Sequence, residues 1–569
     1  MRNLFKPLKN KIPQIVLIVF FLIIQAYTNL TLPSYTADIV NIGIQNADIN
    51  FIIDTGISML LMVIASVIAT VFISYLSSRV SSGYAKDLRK IVYNKVLKFS
   101  NHELNEISRS SLITRTTNDI NQIQNILGAI FSTLLFAPIM GVGSIIRAFE
   151  LGTDLSWIIL VTFIAVASLL FIIMTRVIPY FKLTQEIIDR MNRTAREILI
   201  GIPVIKAFVR QPTERQKFEK INREFLDVNI YVYRTISILL PAMSIILNLM
   251  IVLILYFGAF DAVKGSILTG DIIAFIQYST MIVTSFIMMG GFLIILPRIM
   301  VSGRRVAEVL NTEVTITDGD ISEIGNVESL EFKNVCYRYP GSELETLKDI
   351  NFSLHPGKTT AIIGGTGSGK STILNLIPRL QDPTSGEILI NGINIRNFRL
   401  KTLRDLISFT PQKAILFEGT VKSNMLTGKG DATDDEIRNA LEKSQVDFIT
   451  SLDDEVSQEA SNFSGGQKQR LSIARAIIGK HNFYLFDDCF SALDMNTEAR
   501  VKNNLAELGE DSSILIVSQR ISTIKDADEI LVIDNGEIID RGTHDELNSN
   551  CDIYHEIVKS QVDTMEVSL

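Results

Sequence analysis

Six stretches without a charged residue, each long enough to cross a bilayer, lie ahead of residue 300. They are Pro13–Pro33, Thr55–Ser78, Ile126–Ile146, Leu155–Thr175, Thr235–Phe260 and Ile272–Pro297. A span takes about 20 apolar residues, because the hydrocarbon layer is about 30 Å thick and a helix rises about 1.5 Å per residue. One such run could be the buried helix of a soluble protein; six in succession point to a membrane bundle, with the lipid bilayer as its first partner. Lipid offers the backbone no hydrogen bonds, so each run is expected to be a helix. Yet charged residues still make up 20% of the 569, against 47% apolar, so a soluble part is expected after the bundle.

The loops set an orientation. Arg2, Lys6, Lys9 and Lys11 precede the first run, and residues 34–54 hold Asp38, Asp48 and Asp54 but no Lys or Arg. Residues 79–125 and 176–234 are long and basic, and Arg298, Arg304 and Arg305 follow the last run. Basic loops stay inside, so both termini are expected in the cytosol, with the chain multi-pass in the cell membrane. Apolar periodicity in Ile91–Phe99 and Phe218–Tyr231 predicts that membrane helices continue into the long loops. Pro138 and Pro241 are expected to kink their spans. Gln25, Asn29, Asn248 and Gln277 either line a substrate path or make interhelical hydrogen bonds. No span carries a mid-membrane Asp, Glu, Lys or His, which argues against a proton relay. The first run is too long for a cleavable signal and lacks a small-residue cleavage site. A net charge of −7 offers no footprint for nucleic acid. Cys336, Cys489 and Cys551 show neither metal-ligand spacing nor a disulfide framework, and read as reduced thiols.

Strand-like alternation begins at Ser329–Tyr339. The apolar run Thr359–Ile363 leads directly into Gly364-Gly365-Thr366-Gly367-Ser368-Gly369-Lys370-Ser371, with a helix expected over Ser371–Leu380. This is a phosphate-binding loop: glycines let backbone N–H groups turn inward, Lys370 reaches the terminal phosphates and Ser371 takes Mg²⁺. A second apolar strand, Phe483–Phe486, ends in Asp487-Asp488, where a strand-end carboxylate can hold Mg²⁺ through water. Asn535-Gly536 marks a hairpin between Glu529–Ile533 and Glu537–Ile539. The expected organisation is an all-α six-helix transmembrane domain over 1–305, a linker over 306–326, an α/β P-loop ATPase domain over 327–560 and a tail over 561–569.

Asn462-Phe463-Ser464-Gly465-Gly466-Gln467 resembles the signature motif of the ABC transporters, and it stands ahead of Asp487 as in that family. The resemblance covers nearly the whole chain and implies a half-transporter of the exporter (type IV) fold. A helix opening near Gln467 attracts phosphate at its N-terminus. In the family that end serves ATP held by a second half-transporter, so Ser464, Gly465, Gly466 and Gln467 join Thr372 and the P-loop residues as nucleotide contacts. Tyr339 looks like the aromatic that stacks on adenine. Gln412 resembles the glutamine that reaches Mg²⁺ alongside Ser371 and Asp487. Ser491-Ala492-Leu493-Asp494 resembles the loop bridging the two sites. Residues 111–119 and 201–208 resemble the two coupling regions.

Two departures bear on catalysis. The family places Glu after the Mg²⁺-binding Asp, where it polarises the attacking water; here the residue is Asp488. Its carboxylate sits about 1 Å or more back, a displacement that costs roughly 100-fold in rate, and loss of a positioned base costs roughly 10² to 10⁴. The family's switch histidine is replaced by Gln519, which donates a hydrogen bond but cannot become cationic. The signature is intact apart from Phe463 for the usual Leu. The chain therefore resembles the degenerate-site subunit of heterodimeric multidrug ABC exporters. Asp454–Ala460 also departs from the family's usual run before the signature. The expected activity is ATP-driven efflux of a hydrophobic or amphipathic substrate. An importer on the same fold, or an ATP-gated channel or regulator, stays open as an alternative, as does a homodimer with two slow sites.

Overall fold

The computed structural model describes residues 4–151, 155–508 and 512–566. They form two compact units, Met1–Leu97 with Ser110–Thr312, and Lys98–Arg109 with Glu313–Leu569.

The first unit is helical. Among the described residues, six helices are long and apolar enough to cross a membrane: Lys6–Ile44, Ile49–Val96, Arg109–Leu151, Ser156–Ala207, Gln211–Val263 and Thr269–Gly291. Several far outrun a bilayer. The 48 residues of Ile49–Val96 measure about 72 Å, more than twice the hydrocarbon thickness. The expected continuation of the second and fifth spans beyond their apolar runs is therefore present. Ile18, Leu22, Ile73, Val80 and Phe131 form one buried cluster. Ile158, Met250, Ile254, Phe275 and Tyr278 belong to another. Val16, Phe20, Leu60, Val67, Leu240 and Leu249 point outward and are more than half exposed. In water each would forfeit about 1–2 kcal/mol of burial, whereas lipid solvates them without loss.

Both expected prolines sit just after an interruption rather than inside a bent helix. The helix is broken at Leu135 ahead of Pro138, and at Ile238 ahead of Pro241. A proline has no N–H for the carbonyl four residues back and its ring crowds that carbonyl, so the ladder opens one turn earlier. The intramembrane polar side chains divide. Gln25 donates to Thr70 Oγ1 at 2.7 Å and Asn29 accepts from Ser66 Oγ at 3.2 Å, both between helices. Asn248 bonds the Ser244 carbonyl of its own helix.

The second unit is built on a six-stranded sheet ordered Glu537–Gly542, Glu529–Asp534, Thr359–Gly364, Ser513–Val517, Phe483–Asp487, Ile407–Thr410. All pairings are parallel except the terminal hairpin. Its central strands are buried along their whole length and mostly apolar, as in a parallel sheet covered on both faces. At the hairpin tip Asn535 and Gly536 both take positive φ, 48° and 84°, as a two-residue turn of this hand requires. A four-stranded antiparallel sheet, Leu347–Leu354, Leu330–Tyr337, Ser385–Ile390 and Ile393–Asn394, lies alongside in sequence.

Three local expectations need revision. The helix after the P-loop is Lys370–Leu376, not Ser371–Leu380, because Pro378 has no N–H to donate to the preceding turn and its ring crowds the carbonyl there. Residues 306–311, expected as linker, complete the helix Thr269–Asn311. The stretch that follows is a strap bonded along its length: Gly319 and Ile321 donate to the carbonyls of Phe398 and Asn397, and Leu400 donates to Asp318. Of the expected tail, residues up to Glu566 belong to the helix Asp552–Glu566, and 567–569 lie outside the described residues.

Candidate nucleotide site

The strand Thr359–Gly364 delivers the chain into a loop whose turns need glycine twice. Gly367 and Gly369 take φ of 85° and 98°. A Cβ at Gly369 would also lie 2.6 Å from Leu347 Cδ2. Only glycine takes such angles without strain, so the loop can curl its amides inward. Lys370 opens the following helix and folds back over the loop. Its Nζ donates to the carbonyls of Gly364 and Gly365 at 3.0 and 2.7 Å and to Ser368 Oγ at 3.3 Å. Burial pushes the Lys370 ammonium below its usual range, and Asp488 and Asp487 offset part of that. A cation held this way, short of a full counter-charge, is suited to receive phosphate oxygens.

Phe483–Asp487 runs beside the P-loop strand's neighbour and ends where the loop begins. Asp487 accepts from Ser371 Oγ at 3.0 Å. Burial raises the Asp487 carboxyl above its usual range; the bond from Ser371 and the charge of Lys370 oppose that, while Asp488 adds to it. Hydroxyl and carboxylate together are a hard oxygen pair of the kind Mg²⁺ takes with water and phosphate completing the shell. A buried carboxylate with a raised pKa also gains from a dication at its side.

Asp488 follows with φ of 45°. Its amide donates to the Val517 carbonyl at 2.8 Å and its own carbonyl accepts from Ser491 Oγ at 2.8 Å. Its Oδ2 accepts from Gln412 Nε2 at 3.2 Å. Tyr339 is 38% exposed, and its hydroxyl shares a hydrogen bond of 3.1 Å with Thr372 Oγ1. Its ring stands edge-on to Tyr337 at 5.0 Å, which leaves a face free for a base.

These side chains line one cleft of about 300 Å³. Tyr339, Thr366, Gly367, Gly369, Lys370, Ser371, Thr372, Gln412, Asp487, Asp488 and Gln519 all border it. Gly364, Gly365 and Ser368 do not; they hold Lys370 from behind. Thr346 and Val517 also border the cleft, and no motif marks them in the sequence. Ser464, Gly465, Gly466 and Gln467 do not border it. Ser464 caps the helix Gly465–Ile477, with Gln467 completing the reciprocal bond to the Ser464 amide at 2.8 Å. Gly466 lies against the Ala492 carbonyl, 2.9 Å from where a Cβ would be. Phe463 packs edge-on to Phe448 at 5.8 Å, and the Arg470 guanidinium covers the same Phe448 ring at 4.8 Å. The larger residue in place of Leu thus completes an aromatic seat beneath the signature turn.

The position after Gln519 makes a structural contact that motif reading passes over. Arg520 donates to the carbonyls of Ser491 and Leu493, at 2.6 and 3.4 Å, and lies 3.7 Å from the buried Glu498. It ties the Ser491–Asp494 loop to the end of the Ser513–Val517 strand.

A fold of this kind with a phosphate loop facing a strand-end carboxylate occurs in many nucleotide-driven proteins; comparison with known families decides among them. Residues 15–286 match the family described as ABC transporter transmembrane region, and residues 347–491 match the family described as ABC transporter. A Mycobacterium tuberculosis protein named as an uncharacterised ABC transporter ATP-binding protein is 35% identical over 95% of this chain and 94% of its own length. The chain belongs to the ABC transporters. It is a multi-pass membrane half-transporter with the exporter fold, a transmembrane region ahead of an ATP-binding region, and it acts with a second ABC subunit or another copy of itself. A Bacillus subtilis relative, also an uncharacterised ABC transporter ATP-binding protein, is 36% identical over 93% of each chain. A Staphylococcus aureus protein provisionally named as a multidrug export ATP-binding/permease protein is 31% identical over 89% of each. Among solved structures, a bacterial Atm1-family ABC exporter with ATP bound shares the fold, with a TM-score of 0.81 over 96% of this chain and 98% of that one at 22% identity.

Proposed function

We propose that this transporter exports a hydrophobic or amphipathic compound as one half of a heterodimer, and that its own ATP site hydrolyses slowly. The observation that carries this reading is the pairing at Asp488. Its short carboxylate is spent on Gln412 at 3.2 Å, on a backbone pinned at both its amide and its carbonyl. A carboxylate in that position can bind ATP's surroundings but reaches poorly toward a water in line with the γ-phosphate. Gln519 supplies a hydrogen bond there without a charge. In contrast, the Ser464–Gln467 turn is fully capped and stands outside the cleft. That supports a signature built to complete the ATP site of a second subunit, as part of a head-to-tail sandwich.

In this reading Lys370 and the P-loop amides hold the phosphates, Thr372 and Tyr339 take the nucleoside end, and Ser371, Asp487 and Gln412 hold Mg²⁺. The metal would neutralise charge on the β- and γ-phosphates. ATP capture draws two soluble domains together, and the long helices carry that closure to the membrane. Both termini face the cytosol, in keeping with the basic loops. The Staphylococcus aureus relative's name supports drug-like cargo. Purifying the chain alone and with its partner tests the assignment. Weak hydrolysis alone and strong hydrolysis together are expected; strong hydrolysis by this chain alone overturns it.

A further inference from the structure

The soluble unit includes a piece taken from between two membrane helices, Lys98–Arg109. That piece holds a seven-residue helix, Asn101–Ile107, capped by Ser100 and Glu103 in a reciprocal box. Such boxes recur in this chain, at Thr433 with Glu436 and Thr543 with Glu546, and there the Glu is exposed, as capping alone allows. Glu103 differs: it is 1% exposed. Its Oε2 accepts from the Ser100 amide and hydroxyl, both at 2.5 Å. Its Oε1 is turned away from the helix, onto the amide and hydroxyl of Thr315 at 3.0 and 2.7 Å. Thr315 belongs to the strap leaving the helix Thr269–Asn311. Burial works against the Glu103 charge, yet the four bonds outweigh it and hold the carboxyl below its usual range.

The surroundings anchor both pieces on the ATP-binding body. The Asn101 amide donates to the Leu380 carbonyl at 3.3 Å. Arg379, 3% exposed, donates to the Thr317 carbonyl at 3.2 Å and holds Asp382 with two bonds. Both segments thus end on the turn that follows the P-loop helix. Capping explains one carboxylate oxygen and leaves the other unaccounted for.

We propose that Glu103 is a positioning residue that clamps the segment joining the second and third membrane helices to the strap leaving the sixth. Movement set off at the P-loop then reaches all three helices as one displacement. This rests on the transporter reading above, and it concerns coupling rather than ATP chemistry.

The test uses the full transporter with its partner in lipid vesicles, the partner's tryptophans replaced by Phe. Trp157 is then the only tryptophan, edge-on to Phe257 at 5.3 Å, and its emission reports the membrane helices. Glu103→Ala is expected to keep ATP hydrolysis while the ATP-driven emission change falls about 2- to 30-fold. Glu103→Gln falls between, since a primary amide cannot accept from both the Ser100 and Thr315 amides. In Glu103→Ala, adding Ser100→Cys and Thr315→Cys replaces two hydroxyls 3.2 Å apart. With Cys336 changed to Ser, oxidation of that pair is expected to restore the emission change and reduction to remove it. An unchanged response in Glu103→Ala overturns the proposal. So does equal loss of hydrolysis and response that the disulfide does not restore. A wild type that hydrolyses ATP with no Trp157 response overturns the transporter reading itself, and the clamp with it.

Discussion

Lengthening one side chain should switch on the chain's own ATP site. In Asp488→Glu the backbone has little room to follow, because its amide is bonded to Val517, its carbonyl to Ser491 and its φ is 45°. The added methylene therefore appears as reach: the carboxylate moves about 1 Å or more beyond Gln412, toward the γ-phosphate side of the cleft. A displacement of that order is worth roughly 100-fold when it restores in-line geometry. Gln519 still stands where a cation would help, so the gain is expected at about 10- to 100-fold, or about 1.4–2.7 kcal/mol of barrier. Single-turnover phosphate release should be followed with the partner's P-loop lysine replaced, so that only this chain's site turns over. Asp488→Asn should fall below wild type in the same assay. If Asp488→Glu binds ATP normally and hydrolyses no faster, the slow site has another cause and the account of Asp488 is wrong.

Three further outcomes follow from the site. Lys370→Ala removes a buried cation aimed at phosphate, so ATP affinity measured by calorimetry should weaken by about 10- to 100-fold. Asp487 must be ionised to hold Mg²⁺, and its pKa is raised above the ordinary 3.8; Mg²⁺ affinity is therefore full well above that raised value and declines on acidification sooner than at an exposed aspartate, which a Mg²⁺ titration against pH would reveal. Ser464→Ala breaks the cap of the signature helix, so it should leave ATP binding by this chain intact while cutting hydrolysis by the complex, as paired binding and phosphate-release assays would register.

The site was legible in the sequence because its geometry is local. The P-loop needs glycine at 367 and 369, and Lys370-Ser371 follows within one turn, so the pattern of residues and the pattern of bonds coincide. The six spans were legible for a comparable reason, since lipid demands long uncharged runs. Contacts that depend on distant pairing were not. Nothing around Thr346 foretells that it borders the nucleotide cleft, because the pairing of distant strands brings it there. The strap over 313–321 reads as a polar linker, yet it is bonded to Asn397 and Phe398, and its glycine sits where a Cβ would meet the Asn397 carbonyl. Resemblance puts the first coupling region at 111–119, whereas the segment grouped with the soluble unit is Lys98–Arg109. Glu103 there looks like an ordinary capping glutamate until Thr315 is seen on its other oxygen.

The most direct measurement is the identity of the nucleotide on each subunit after sustained turnover. Photo-crosslinking with radiolabelled azido-ATP, followed by separation of the chains and chromatography of the bound nucleotide, reads it out. Uncleaved triphosphate on this chain, beside diphosphate on its partner, is the predicted result. Diphosphate accumulating on this chain as fast as on its partner would contradict it.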